Sequence, residues 1–385
     1  MGDGANRIAV DAEGNSYVTG YYGGNEMFFE TITLYTYGAM DIFTVKYDSD
    51  GNELWAIKAG GTSYEQGMDI AADEDGNSYV VGYFSSPTVT FGFTDITNSG
   101  INDIFVVKYD QNGVEQWVKS IGGDSYEGGT GISSSNLGVY ITGYFASPVL
   151  DFGNGIQTTN NGDQSVFAAG FNHDGTALWA QSSNGTGQYM AENIKADNFG
   201  QVYIVGEFNN SSFGFDDFSL MNKGGNDVFF IQFDANYGYA TWGDSVGGSN
   251  AETCKAVSSD QLGRVYFAGN FASDSVTIGG EEFTNGNPGT DDVFVAKQSN
   301  SLGLSEVSHA QVAVYPNPSS GVFHLKSDTQ IKSVEVIGMT GQTVFKSIVN
   351  FDHFEIKLQN RPSGVYVLKI QTENGVKTQK LIIRH

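Results

Sequence analysis

Side chains able to do chemistry are sparse in this 385-residue chain. Of its five histidines (His173, His309, His324, His353 and His385), only His173 falls within residues 1–298, beside Asp174 on what reads as a hairpin tip. No Ser or Cys nucleophile pattern accompanies it, so neither a Ser-His-Asp triad nor a histidine metal site is expected. Cys254, the single cysteine, lies in the strand-like run ETCKAVS, where a small buried thiol is expected. One cysteine also excludes an internal disulfide framework and a cysteine zinc site.

Carboxylates are the abundant candidates. Asp41, Asp103, Asp227 and Asp292 open recurring strand-like segments, with Ser165 breaking the series; Glu65, Glu127 and Glu252 stand ten residues after a tryptophan, and Glu192 thirteen after Trp179. Paired carboxylates suit glycoside hydrolysis, but an Asp at a loop-to-strand junction also caps backbone N–H groups. Repetition favours capping, because a ligand site usually breaks symmetry. The turns Asp48-Ser49-Asp50-Gly51 and Asp73-Glu74-Asp75-Gly76 invite a calcium reading. They lack the distal bidentate Glu of an EF-hand, and hairpins need Asp and Gly there anyway. No cofactor is therefore expected, with calcium the alternative.

The elements that position these residues are set by a repeat. GNSYVTGYY at 14–22 returns as GNSYVVGYF, GVYITGYF, GQVYIVGEF and GRVYFAGNF, its glycine falling at Gly20, Gly82, Gly143, Gly206 and Gly269. Trp55, Trp117, Trp179 and Trp242 share one repeat position at steps of 62, 62 and 63. Each unit reads as four strands rich in Val, Ile, Tyr and Phe, joined by Asp/Asn-Gly turns. Such a unit cannot bury both faces alone; stacked radially it becomes a propeller blade. The predicted fold is therefore all-β, a β-propeller of about five visible blades (about 4–61, 62–123, 124–183, 184–248 and 249–298), with a linear β-solenoid the alternative. Blades of about 40–45 residues are commoner, and the surplus here is a long second-to-third connection, which reads as loop.

The body resembles the bacterial propeller-repeat proteins whose repeat runs Asp-x-x-Gly-Asn-x-Tyr-Val-x-Gly, a Phe-Gly segment, Asp-x-Phe-Val-x-Lys, Gly-x-x-x-Trp and Gly-Gly. The match covers residues 4–298; the seven blades of that family are its own attribution. DSDGNELW at 48–55 is similar to the Asp-box of sialidase propellers, but its Gly-to-Trp spacing is longer by one residue. The fifth unit ends after its third strand at Lys297. A completing Trp-bearing strand, and a signal peptide, are expected upstream of Met1.

Residues 299–311 read as a polar linker and 312–385 as a small β-sandwich. This tail resembles the C-terminal sorting domain of the type IX secretion system of Bacteroidota. The resemblance rests on Tyr315-Pro316-Asn317-Pro318, Gly321 with Phe323, Val334 and Val336 leading to Gly341, Ser363-Gly364-Val365-Tyr366, and a Lys377…Lys380-Leu381-Ile382 ending. It implies the type IX machinery and its sortase as partners, and export through the periplasm to the outer surface or medium. Gly338 departs from the acidic residue usual in that family.

Charge narrows the partners further. Residues 1–298 hold 38 acidic and 10 basic side chains, net −28, whereas 299–385 are net +3. So acidic a body argues against nucleic acid and anionic membrane, and no apolar run approaches a membrane-spanning length. The expected function is a secreted or surface binding and adhesion module without catalysis, its ligand a glycan or protein. The alternatives are a glycan hydrolase or lyase and a purely structural stalk.

Overall fold

The computed structural model describes residues 2–184, 189–216, 218–260, 262–287, 289–298, 312–338, 342–372 and 375–384. The chain forms two compact units, Met1–Asn300 and Ser301–His385, and both are all-β. The expected linker at 299–311 lies outside the described residues.

In the first unit each repeat folds as antiparallel strands paired in chain order. In the second repeat these are Glu65–Ala72, Ser78–Phe84, Asp103–Tyr109 and Glu115–Ile121. The first, third and fourth repeats match it. The fifth contributes Glu252–Ser259, Val265–Phe271 and Asp292–Gln298 among the described residues. The turns are set by their aspartates: Asp73 Oδ1 accepts from the N–H groups of Asp75 and Asn77 at 3.1 and 2.9 Å, and Asp48 repeats this with Asp50 and Asn52. Both D-x-D-G segments are thus closed on their own backbone.

The first strands converge on an axis. Asn6 and Arg7, Met68, Thr130, and Met190 to Glu192, from four successive repeats, line one cavity of about 140 Å³. Sheets stacked linearly at about 10 Å would hold the first and fourth repeats about 30 Å apart. A shared cavity requires radial packing, which decides for a β-propeller-like array over a solenoid.

Every first strand carries a β-bulge at one repeat position. The pairing shifts around Asn6, Met68, Thr130, Glu192 and Lys255. The bulge drives a carbonyl against the second strand, and the repeat glycine faces it. A Cβ on Gly82 would lie 1.9 Å from the Gln66 oxygen, and one on Gly143 2.0 Å from that of Gly128. The glycine recurs because no larger residue fits there.

The long second-to-third connection is not a loop. It is a hairpin in every repeat, such as Thr88–Phe91 with Thr94–Thr97. In the second repeat it pairs with the first repeat's fourth strand, Ala59 to Phe91 and Gly60 to Thr90, giving a six-stranded sheet. Phe91 turns back onto Phe105 at 5.0 Å between ring centroids. The hairpin therefore covers an edge strand that would otherwise face water.

Neighbouring repeats bury their facing sheets. Ile104 and Val106 of the second repeat share one core with Ile132, Ile141 and Phe167 of the third. Tryptophans lock these junctions: Trp55, Trp117 and Trp179 donate to the carbonyls of Gln111, His173 and Ala235 in the next repeat.

The second unit is one five-stranded sheet around a core of Phe323, Leu325, Val334, Val336, Leu368, Ile370 and Leu381. Its long strand Val322–Gly338 pairs with Val312–Tyr315 over its first half and with Gly364–Thr372 over its second. Along its other edge both halves pair with Thr343–Lys357, with an irregularity between Lys326 and Ile331.

Candidate functional site

The two ends of the first strands carry different chemistry. At their starts stand the carboxylates singled out in sequence. Glu65, fully buried, accepts from Gly61 N–H at 3.0 Å and from the Ser86 hydroxyl at 2.6 Å. Glu127 accepts from the backbone N–H groups of Gly123 and Ser147, and Glu252 from those of Gly248 and Ser273. Each thus ties the end of one repeat to the second strand of the next. Glu192 does not join this ring. Its place in the register is taken by Tyr189, which pairs with Phe208 as Glu65 pairs with Phe84. Glu192 occupies the axial bulge instead, 3.1 Å from Lys255 of the fifth repeat.

Asp41, Asp103 and Asp227 are also fully buried. One carboxylate oxygen of each caps the preceding loop, accepting from Tyr37, Ser99 and Lys223 N–H at 2.5, 2.9 and 2.8 Å. The other oxygen has no hydrogen-bond partner. Burial pushes Asp41 and Asp227 up to about 6, with Glu65 and Glu252 adding like charge, and it raises Asp103 as well. The carboxyl groups press on Gly60, Gly122 and Gly247, where an added Cβ would lie 2.1–2.2 Å away. The third repeat has Ser165 for the aspartate and Asn184 for the glycine. Asp292, partly exposed, accepts from Gly286 N–H at 2.8 Å.

The opposite end of the strands holds a cleft that was not singled out in sequence. It measures about 470 Å³ and draws on four repeats: Asp11 from the first, Asp73 to Asp75, Asn77 and Lys108 from the second, Ser134 to Asn136 and His173 from the third, Asn198 from the fourth. A second hollow of about 310 Å³ shares Ser134 and Asn198 and adds Lys195, Phe199 and Ser259. Together they make a polar belt with the exposed Phe199 ring beside it.

Most bonds here follow the repeat: Tyr79 donates to Asp73 at 2.9 Å as Tyr17 does to Asp11, and Lys46 bonds the Gln111 carbonyl as Lys108 does that of His173. The His173 ring breaks the symmetry, its Nδ1 lying 3.1 Å from the Tyr79 oxygen. With the hydroxyl proton committed to Asp73, Nδ1–H is the donor to the Tyr79 oxygen. Lys108 Nζ bonds the His173 carbonyl at 3.3 Å. In the third repeat Ser135-Asn136-Leu137-Gly138 replaces the Asp-x-x-Gly turn, and the buried Ser134 hydroxyl oxygen is without a partner. Asp11, Asp73, Glu74 and Asp75 outnumber Lys108, so the cleft favours neutral or cationic ligands over anions.

The tail motif closes on itself. Asn317 Nδ2 donates to the Lys380 carbonyl at 2.6 Å, and Asn317 Oδ1 accepts from Ile382 N–H at 2.9 Å. The Tyr315-Pro316-Asn317-Pro318 segment is thereby fixed to the last strand. Gly321 has φ 108° and a Cβ there would meet Gln359 Cα at 2.7 Å. Gly364 pairs with Ile383, and the Tyr366 hydroxyl donates to the Pro362 carbonyl at 2.9 Å. Gly341 lies outside the described residues.

Residues 313–384 match the family described as the secretion system C-terminal sorting domain. An uncharacterized WD repeat-containing protein of Acanthamoeba polyphaga mimivirus is 29% identical over 206 residues, 46% of this chain. The regulatory protein FlaEY of Caulobacter vibrioides is 30% identical over 142 residues, 36% of this chain. The chain spans only 15% of the length of either relative. Among solved structures, PorZ of Porphyromonas gingivalis, described as an essential bacterial surface component of its type IX secretion system, is 12% identical. That likeness covers 99% of this chain and 59% of PorZ, at a TM-score of 0.28. The extracellular domain of a one-component system from B. thetaiotaomicron is 8% identical, covering 99% of this chain and 80% of that one, at a TM-score of 0.16. Similarity this low adds nothing to the fold assignment. The tail marks the chain as a secreted or cell-surface protein that engages the secretion machinery.

Proposed function

We propose that the chain is exported by the type IX route and acts outside the cell as a non-catalytic binding and adhesion module, its belt of axial clefts taking neutral or cationic glycans. Export rests on the sorting-domain match at 313–384. Binding rests on the symmetry-broken cleft, whose Asp, Asn, Ser and His side chains offer the mixed donors and acceptors that sugar hydroxyls use, next to the exposed Phe199 face. We assign the body, residues 4–298, to the bacterial propeller-repeat class on its motif.

We read the cleft as non-catalytic because Asp11 and Asp73, which line it, accept from their own turns and from Tyr17 and Tyr79. A hydrolase needs a carboxylate free to exchange a proton with the glycosidic oxygen.

The test is retention of the purified full chain on neutral, cationic and anionic polysaccharides, with product release followed in parallel. The expected result is retention on neutral or cationic polymers without release, weakened by Asn198→Ala. Release that Asp73→Asn abolishes would overturn the non-catalytic reading. Preference for an anionic polymer would overturn the site.

A further inference from the structure

The fourth repeat carries a turn unlike its counterparts. In the first three repeats four residues join the third strand to the fourth, as in Asp110-Gln111-Asn112-Gly113. The fourth repeat runs Asp234-Ala235-Asn236-Tyr237-Gly238 before Tyr239, one residue longer. Gly238 keeps the usual part: its φ is 73°, and a Cβ there would meet the Trp179 ring at 2.3 Å, as one on Gly113 would meet Trp55 at 2.9 Å. The two tyrosines beside it have no such part. They stand where the second repeat has Asn112 and Val114, with Tyr237 71% and Tyr239 49% exposed. Their rings are nearly parallel, at 9°, with centroids 6.2 Å apart. The turn forms without aromatic residues in the other repeats, so folding does not explain the pair.

Tyr239 opens onto a groove of about 850 Å³ between the third and fourth repeats, which shares no residue with the axial clefts. Gln157, Gln181 and Asn184 line it with amides, and Asp216 is the one charged side chain among the described residues around it. That charge is already engaged. Asp216 stands where the second repeat has Gly92, at a left-handed φ of 50°, and accepts from Ala240 N–H at 2.8 Å. Asn184 Nδ2 donates to the Asp216 carbonyl at 3.0 Å, and Gln157 Nε2 to Asp151 at 2.8 Å, so both amides are held in place.

We propose that this groove is a second binding site, taking a neutral polysaccharide chain whose sugar faces rest on Tyr237 and Tyr239. The C–H bonds on a pyranose face carry slight positive charge and suit the negative face of an aromatic ring. Amides both donate and accept, as ring hydroxyls require. In a body of net −28, a groove with one engaged carboxylate offers an anion no counter-charge and a cation little that the rest of the surface lacks. The platform is also fixed in advance. Tyr237 N–H donates to Asp234 Oδ1 at 3.0 Å, Gly238 N–H to the Asp234 carbonyl at 2.8 Å, and Trp179 to the Ala235 carbonyl. Little remains to be ordered on binding.

Affinity electrophoresis of the full chain tests this, in native gels containing galactomannan, hydroxyethyl cellulose or laminarin as neutral polymers, or alginate as an anionic one. At least one neutral polymer is expected to retard the wild type, and alginate is not. Tyr237→Ala with Tyr239→Ala should weaken retardation by about tenfold or more. Tyr237→Phe with Tyr239→Phe should keep it, because the ring faces remain. Gln181→Ala should weaken it without touching the turn. Asn198→Ala, in the axial cleft, should leave the tyrosine-dependent retardation in place, so failure of either site shows separately. The proposal is overturned by no retardation in any neutral gel, or by wild-type retardation of the double Ala or the Gln181→Ala variant. Loss of retardation in the double Phe variant, or its complete removal by Asn198→Ala alone, would overturn it too.

Discussion

Trp179 Nε1 donates to the carbonyl of Ala235, 56 residues further along the chain and in the next repeat, at 2.9 Å. Trp55 to Gln111 and Trp117 to His173 repeat the bond at 3.0 and 3.1 Å with the same sequence separation. These three tryptophans are therefore locks between neighbouring repeats.

Replacing Trp179 by Ala should cost about 3–5 kcal/mol, through lost burial and the cavity left behind. Trp179→Phe keeps much of the apolar contact but leaves the Ala235 carbonyl unpaired, and should cost about 1–3 kcal/mol. Denaturant unfolding followed by circular dichroism measures both. A Trp179→Phe variant as stable as the wild type would show that the hydrogen bond contributes nothing.

Gly82→Ala should destabilise the body by about 2 kcal/mol or more, because the new Cβ meets a backbone oxygen that cannot turn aside. Gly51→Ala, where nothing lies within 4 Å but φ is 87°, should cost less, about 1 kcal/mol. Thermal unfolding of the pair separates crowding from backbone strain.

Much of this was legible in sequence, and for a physical reason. Gly82 and Trp117 sit at contacts that recur in each repeat, so the 62-residue period exposes them. The hairpins were missed because runs such as Thr88–Phe91 are four residues long and polar on alternate positions, too short to stand out from loop. Glu192 was misplaced because the position ten residues after Trp179, where the other repeats carry the ring glutamate, is Tyr189, and the next Glu along falls on the bulge. The axial cleft was invisible because Asp11, Asp73, Ser134 and Asn198 come together only once four repeats close around an axis. His173, alone of its kind in the body, and the substituted turn at Ser135 to Gly138 were the only local signals.

Acidity should stabilise the body over a defined window. Burial holds Asp41, Asp69 and Asp227 at about 6, above the ordinary 3.8. Between about pH 4 and 6 the folded state then binds more protons than the unfolded one, so stability falls as pH rises through that range. The melting temperature should be higher at pH 5 than at pH 7.5, in high salt as well as low. Asp41→Asn with Asp227→Asn should shrink the difference and raise stability at pH 7.5 by about 1 kcal/mol. Calorimetry that finds the reverse order would remove the buried-carboxyl explanation.

Asn317→Ala should loosen the sorting domain selectively. It deletes the bonds to Lys380 and Ile382 that join the two ends of the tail motif, at a cost of about 1–3 kcal/mol. Export should fall, while the body's thermal transition stays where it was. A shift of the body's transition instead would show that the tail supports the body's fold.

The most direct test of the account is where the body goes without its tail. The full chain and a form lacking residues 312–385 are each placed behind the same cleavable leader in a type IX-competent cell. Periplasm, outer surface and medium are then assayed. The account predicts that the full chain reaches the surface or medium, that the shortened form is retained in the periplasm, and that residues 299–385 alone carry a reporter outside. Secretion of the shortened form at normal yield would contradict it.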